Sequence, residues 1–416
     1  MAKKQPLISV LIISRTYPPQ IGGVASHVNY LAQALNKHTS ERDPKHHVCR
    51  VHLLTSGKKE RRTKEEGIPP NLSVYRVSGE KGYFGFRGEV LLEEALEFGL
   101  NHWIKMRPNV IHAHDFSSIY VGMMLKAVFD VPLIATIHRT PKEWDETLPQ
   151  RDTKNCFVKA VVKYNLCDWL VAPSEAYEIH LIQHGFTKER IEQINHGIPI
   201  TSLRSLPNDP TILQELGLTD NYQVIFCPSR LDPHKGIETL IDTAGKLHKQ
   251  FPHLAYVIAG SGPASYRREL ELRIDQKGVR AVFRMGSHTH RDFTPNEMAA
   301  LFRRARICVI PSLREGFSQS VLESFAFRKP VIGSNTGGIP EIINPDVNGL
   351  LFNRAEPADL AKQITRLMRN RTLARKLGNE GYTTLEEKFS DGRMARDYFR
   401  FYQKVVRAYG NEKRLQ

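Results

Sequence analysis

Two carboxylates eight positions apart, Glu315 and Glu323, lie in the stretch Pro311–Ser324, which reads P-S-L-R-E-G-F-S-Q-S-V-L-E-S. An ionised carboxylate offers two oxygens that accept hydrogen bonds, so two of them in one loop-to-helix unit suit a polyhydroxylated ligand gripped at two places. Chemistry on sugars needs that grip. A structural reading stands beside it. Ser320-x-x-Glu323 fits a capping box, and Glu315 fits a solvated loop charge.

Other reactive groups also follow apolar runs. Arg230 and Lys235 sit in R-L-D-P-H-K-G after Val224–Phe226. A planar guanidinium fork and a mobile ammonium together suit a diphosphate, although two solvated cations would read the same way. Gly22-Gly23 opens a helix, where free N–H groups can meet phosphate, or else serves only a tight loop. In His112-Ala-His114-Asp115, His114 or Asp115 is placed to orient an acceptor hydroxyl or take its proton, while His112 points into the fold. Metal ligation by H-x-H lacks a convincing third and fourth ligand in the sequence and is weakly supported. His138 either touches a sugar or packs at a strand end, and Gly337-Gly338-Ile339-Pro340-Glu341 suits a helix start.

The elements that position these groups follow from periodicity. Leu7–Ile13, Val48–Leu54, Val110–Ala113, Leu133–Ile137 and Trp169–Ala172 read as buried strands separated by amphipathic helices such as Val24–Leu35. After a polar, turn-rich stretch at Pro199–Asn221 the pattern restarts, with Val224–Phe226, Ala255–Ala259, Ala281–Phe283, Ile307–Ile310 and Val331–Gly333. Strands alternating with helices predict parallel sheets covered on both faces, here in two doubly wound α/β domains. Such sheets bind ligands at the carboxyl ends of their strands, which is where the reactive groups fall. Met394, Tyr398, Phe401, Val405 and Tyr409 make one face of a final helix capped by Ser390 or Asp391.

Composition narrows the classes. The chain has 416 residues, 41% of them hydrophobic, and a formal net charge of +15. No apolar run reaches the roughly 20 residues of a membrane span. Lys3-Lys4 before Leu7–Ile13 imitates a signal peptide, but no small-residue cleavage site follows. Five cysteines without C-x-x-C spacing fit reduced thiols in a cytoplasmic protein. The mixed-sign run Lys58–Glu66 reads as a solvated loop. No nucleic-acid-binding signature accompanies the charge, so no nucleic acid is expected as a partner. Peripheral contact with an anionic membrane is one use for the charge, with Lys154, Lys159 and Lys163 among Phe157, Val158, Val161 and Val162 as a candidate helix beside a plain core reading.

Together these residues resemble the family-4 retaining glycosyltransferases. The matching features, in order, are Pro18-Pro19…Gly22-Gly23, His112-Ala-His114-Asp115, Thr136-Ile-His138, Pro173-Ser174 and Ser229-Arg230-Leu231…Lys235-Gly236. Gly260-Ser-Gly262-Pro263, Glu315-Gly316-Phe317…Glu323 and Gly337-Gly338-Ile339-Pro340-Glu341 complete them. The resemblance implies the GT-B architecture, two doubly wound Rossmann-like domains facing a central cleft. An acceptor-binding domain at 1–200, a nucleotide-sugar domain at 201–390 and a helix at 391–416 crossing back to the first domain are expected.

The resemblance also implies roles. Arg230 and Lys235 hold the donor diphosphate with Gly22 and Gly23 near it, and Glu323 takes the ribose. Glu315 holds the donor sugar with the backbone around Phe317 and Ser318. His138 faces the reacting carbon, and His114 and Asp115 lie on the acceptor side. The implied reaction moves a hexosyl unit from a UDP-, GDP- or ADP-linked sugar to a sugar, lipid-linked or small-molecule acceptor. It proceeds with retention, and with neither a cofactor nor an obligatory metal. Pro199 after His196-Gly197-Ile198, and Ser318 where Gly or Pro is frequent, depart from the family pattern. Two alternatives remain at this point: a sugar isomerase or phosphorylase of the same fold, and a non-catalytic basic module for membrane or nucleic acid.

Overall fold

The computed structural model describes residues 8–20, 22–42, 49–56, 71–77, 89–138, 161, 166–285 and 292–414. The chain divides into two compact units, Met1–Gly197 with Asp391–Gln416, and Ile198–Ser390.

The first unit is built on a parallel sheet of seven strands: β1 (Ile8–Ser14), β2 (Cys49–Ser56), β3 (Leu72–Val77), β4 (Val110–Ala113), β5 (Leu133–Thr136), β6 (Trp169–Ala172) and β7 (Ile191–Gln193). Their order is β3-β2-β1-β4-β5-β6-β7. β1 shows why its sequence is apolar throughout. Val10 and Ile12 pack on one face with Val28, Leu31 and Leu35 of the helix Gly23–Arg42. Leu11 and Ile13 pack on the other with Ile119 and Leu125 of the helix Phe116–Phe129. A strand covered on both faces has no polar side to alternate with.

The helix Asp391–Arg414 completes this unit. Its buried face, Met394, Tyr398, Phe401, Tyr402 and Val405, joins the cluster that holds Val10 and Ile12. Burial of Met394, Phe401 and Val405 contributes roughly 1.5–3 kcal/mol each. Tyr409 lies farther along and bonds Asp130 Oδ1 at 3.0 Å. Asp391 Oδ1 accepts from the N–H of Gly392 at 2.9 Å.

The second unit carries a six-stranded parallel sheet: β8 (Gln223–Pro228), β9 (Leu254–Ala259), β10 (Phe283–Met285), β11 (Ala305–Ile310), β12 (Val331–Ser334) and β13 (Leu350–Phe352), ordered β10-β9-β8-β11-β12-β13. In both sheets the strand order reverses beside the first strand. The resulting switch points lie between β1 and β4 and between β8 and β11. Crevices at such points are where open α/β sheets bind ligands.

Three differences from the sequence reading have local causes. Ala281–Phe283 was expected as a strand, yet Arg280–Val282 forms a 3-10 turn and β10 starts at Phe283. β3, β7 and β13 give no clear strand signal in the sequence. They are edge strands of six, three and three residues, with partly exposed positions that break the apolar run. The capping box does not form: Ser318 occupies the N-cap position of the helix Gln319–Ala326, and Ser320 Oγ instead donates to Pro228 O at 2.8 Å. Cys49, Cys167, Cys227 and Cys308 are buried free thiols. Cys156, the run Lys58–Glu66, and Lys154, Lys159 and Lys163 with Phe157, Val158 and Val162 lie outside the described residues. No helix among the described residues is long and apolar enough to cross a membrane.

Candidate active site

In the second unit, two loops converge at the sheet's switch point. After β8, Asp232 Oδ1 accepts from the N–H of His234 at 3.0 Å and starts a 3-10 turn over Pro233–Lys235. Gly236 ends the turn at φ 61° and leads into the helix Ile237–Leu247. After β11, the N–H of Leu313 donates to His234 O at 2.8 Å, so the two loops are stitched by backbone. The result is an ion pair: Lys235 Nζ lies 2.7 Å from Glu315 Oε2, the side chains being 25% and 14% exposed. Ser312 Oγ donates to the same oxygen at 3.0 Å. Glu315 is therefore a held carboxylate and not a solvated loop charge.

Glu323 differs. It stands on the helix Gln319–Ala326, half-buried, with no side-chain hydrogen bond or ion pair among the described residues. Burial raises its pKa from the usual carboxylate range to about 7. Ser318 is buried, and its hydroxyl has no hydrogen-bond partner among the described residues. Phe317 is buried beside it, in ring contact with Phe389. Arg230 is exposed and makes no side-chain hydrogen bond or ion pair with another described residue. The loop after β9 touches it, since a Cβ on Gly260 would fall 2.8 Å from Arg230 Cα.

In the first unit the corresponding switch point gathers histidines. His112 is buried and satisfied, through Tyr402 at 2.8 Å and Thr136 at 2.7 Å. His114 Nδ1 lies 3.2 Å from His138 Nε2. His27, on the helix after β1, stacks on His196 with ring centroids 3.9 Å apart. Burial is the first cause holding all five imidazoles neutral. It takes His112 to about 3 and His138 to about 4, and puts His27, His114 and His196 well below 6.5.

Asp115 has a structural task. Its carboxylate accepts from the N–H groups of Ser118 and Arg15, at 3.0 and 2.7 Å, and caps the helix Phe116–Phe129. Gly23 opens its helix, and Gly22 precedes it at φ 151°.

The family description Glycosyltransferase Family 4 matches residues 21–202, and Glycosyl transferases group 1 matches residues 208–384. The chain is a family-4, group 1 glycosyltransferase. An uncharacterised glycosyltransferase of Methanocaldococcus jannaschii is 26% identical over 97% of this chain and 100% of its own. The D-inositol 3-phosphate glycosyltransferase of Streptomyces bingchenggensis is 26% identical over 74% of this chain and 70% of its own. Among solved structures, sucrose-phosphate synthase from Thermosynechococcus elongatus superposes with TM-score 0.78 at 22% identity, covering 96% of this chain and 99% of that one. Anabaena HepE in complex with UDP and glucose gives 0.73 at 20% identity, covering 96% and 100%. The chain shares the GT-B fold of these solved neighbours, and membership of the family decides against a non-catalytic basic module.

This glycosyltransferase contains site candidates that sequence reasoning passed over. His27 sits among the apolar residues of an amphipathic helix, next to Val28, and its one signal was an imidazole at a core position. Ser312 became visible only when the loops converged.

The same convergence makes one glycine indispensable. Gly337, in the loop after β12, has φ 52°, and a Cβ there would fall 1.7 Å from the Glu315 carbonyl oxygen. Gly337→Ala should cost about 2–4 kcal/mol in urea denaturation through backbone strain and overpacking. Gly245→Ala is the matched control, because its nearest contact is an ordinary 3.5 Å within a helix. Equal losses in the two variants would refute the role given to the Gly337 approach.

Proposed function

We propose that this glycosyltransferase moves a hexosyl unit, with retention, from a nucleotide-diphosphate sugar to an acceptor hydroxyl. The donor binds the second unit and the acceptor the first. The observation that carries the reading is the meeting of Lys235 and Glu315 at the β8/β11 switch point. A cation for a diphosphate and a carboxylate for sugar hydroxyls are there held on stitched backbone.

Arg230 adds a second cation in the same loop, and the start of the helix Gln319–Ala326 adds backbone N–H groups that favour phosphate. Gly22 and Gly23, at the start of their helix, offer backbone N–H groups of the kind that suits phosphate. Glu323 takes the ribose hydroxyls, and the backbone around Phe317 and Ser318 helps orient the sugar. The cations act by stabilising negative charge that develops on the leaving diphosphate, a task for which no metal is required. His138 faces the reacting carbon, and His114 orients the acceptor. The leaving phosphate deprotonates the acceptor on the same face of the sugar ring, which gives retention without a protein nucleophile. The neutral state of His114 and His138 supports this division, since an imidazole without charge can accept a hydrogen bond from a hydroxyl.

UDP-glucose is the first donor to test, because HepE of Anabaena was crystallised with it. A thermal-shift series with UDP-, GDP- and ADP-linked hexoses tests the reading. A true donor at 100 times its Kd stabilises by about 2.7 kcal/mol. Absence of a shift with every one of them, and of nucleoside diphosphate release with acceptor present, would defeat it. Release of the diphosphate only when acceptor is added separates transfer from isomerisation.

A further inference from the structure

We propose that the first unit contains a transition-metal site of the zinc class, with His27, His114 and His138 as its protein ligands. One ring nitrogen from each lies within 4.8 Å of those of the other two. Three separate elements supply them: the helix Gly23–Arg42, the end of β4 and the end of β5. The ring centroids stand 5.3–5.5 Å apart, an open triangle rather than a close-packed stack.

A second observation points to a ligand. His27 is fully buried, and neither of its ring nitrogens has a hydrogen-bond partner among the described residues. His114 Nε2 is buried in the same condition. A buried polar group left unpaired is costly, and a metal–nitrogen bond would relieve it. The imidazoles are neutral, the form that coordinates.

The donor set decides the class of ion. Three imidazoles without a carboxylate suit zinc, cobalt, nickel or copper and do not suit calcium or magnesium. Three protein ligands also leave a fourth tetrahedral position for water. His138 is the partly exposed member of the set, so the fourth position opens on its side. His112 is not a ligand, because both its ring nitrogens are engaged by Tyr402 and Thr136. It packs its ring 4.1 Å from that of His114 and fixes it. His196 does the same for His27 by stacking.

His114 and His138 are also the groups assigned to acceptor and sugar above, so an ion bound here inhibits transfer. The metal readout does not depend on that assignment. The EDTA-stripped protein is titrated with Co2+ in the absence of any nucleotide sugar or acceptor, and Zn2+ is then added in competition. One Co2+ per chain should bind with the intense visible absorption of a tetrahedral nitrogen site, and Zn2+ should abolish the band. His27→Ala and His138→Ala should each weaken binding by at least about tenfold. His184→Ala should leave it unchanged, which matters because His180 and His184 form a second close imidazole pair, 4.2 Å between centroids. If His27→Ala fails to fold, His138→Ala decides, since His138 is the one partly exposed residue of the three. No visible band with Co2+, or a band lost in His184→Ala and kept in His138→Ala, overturns the proposal.

Discussion

Lys235→Ala will lower kcat/KM for the donor by about 30-fold or more, and will also destabilise the ligand-free protein. The two effects have different origins. Truncating one partner of a close, buried charge pair costs roughly 2–5 kcal/mol, and every 1.4 kcal/mol is a factor of ten. In the free enzyme the charge left behind is Glu315, 14% exposed, with Ser312 Oγ still bonded to it. Under the proposed assignment, the loss in the donor complex falls on the diphosphate. A Lys235→Met, Glu315→Gln double variant separates them. Replacing both charges restores stability, since no buried ion is orphaned, and leaves turnover low. Arg230→Ala completes the comparison. Its side chain is exposed and unpaired among the described residues, so donor affinity should fall while the urea midpoint stays put. Wild-type turnover in both Lys235→Ala and Arg230→Ala would remove the diphosphate assignment.

Glu323→Gln will stabilise the ligand-free protein at pH 8, by at most about 3 kcal/mol. The carboxyl titrates near 4.5 when unperturbed and at about 7 in the fold, where burial raises it. Between those values the native state holds a proton that the unfolded chain has lost. Stability is therefore greatest on the acid side of the window and declines as pH rises through it. The glutamine variant should lack that decline in a series of thermal melts. Donor binding should show the opposite slope. Ribose hydroxyls donate to an ionised carboxylate, so binding expels the proton, and affinity should rise from about pH 6 to about pH 8 in the native enzyme alone. Identical pH profiles in the two proteins would show that Glu323 neither carries the buried charge nor meets the donor.

The sequence displayed the alternation of strands and helices plainly because buried parallel strands have no polar face to obscure it, as Val10–Ile13 on β1 shows. It hid β3, β7 and β13, whose short edges mix buried and exposed positions. Lys235 and Glu315 were legible separately as post-strand charges. Their direct pairing was not, because it depends on the backbone bond from Leu313 to His234 and on the switch-point order of the sheet. Asp115 and His114 are chemically alike on paper as acceptor-side groups. Three dimensions separate them, since Asp115 is occupied by two backbone N–H groups while His114 Nε2 is left without a partner among the described residues. His27 carried almost no signal, because a lone histidine on an apolar helix face usually means only a tolerated core residue.

The chain passes from the first unit to the second at Gly197–Ile198 and returns at Ser390–Asp391, with Ile198 and Ser390 bridged side by side. That threading has a consequence for biogenesis. The second unit is one continuous stretch and can acquire its structure as it leaves the ribosome. The first must wait, its apolar surface around Val28 and Leu31 uncovered, until Tyr398, Tyr402 and Val405 have been translated. The half of the enzyme made earliest is thus the half finished last, and a nascent polypeptide stalled near residue 390 would present that bare surface to chaperones.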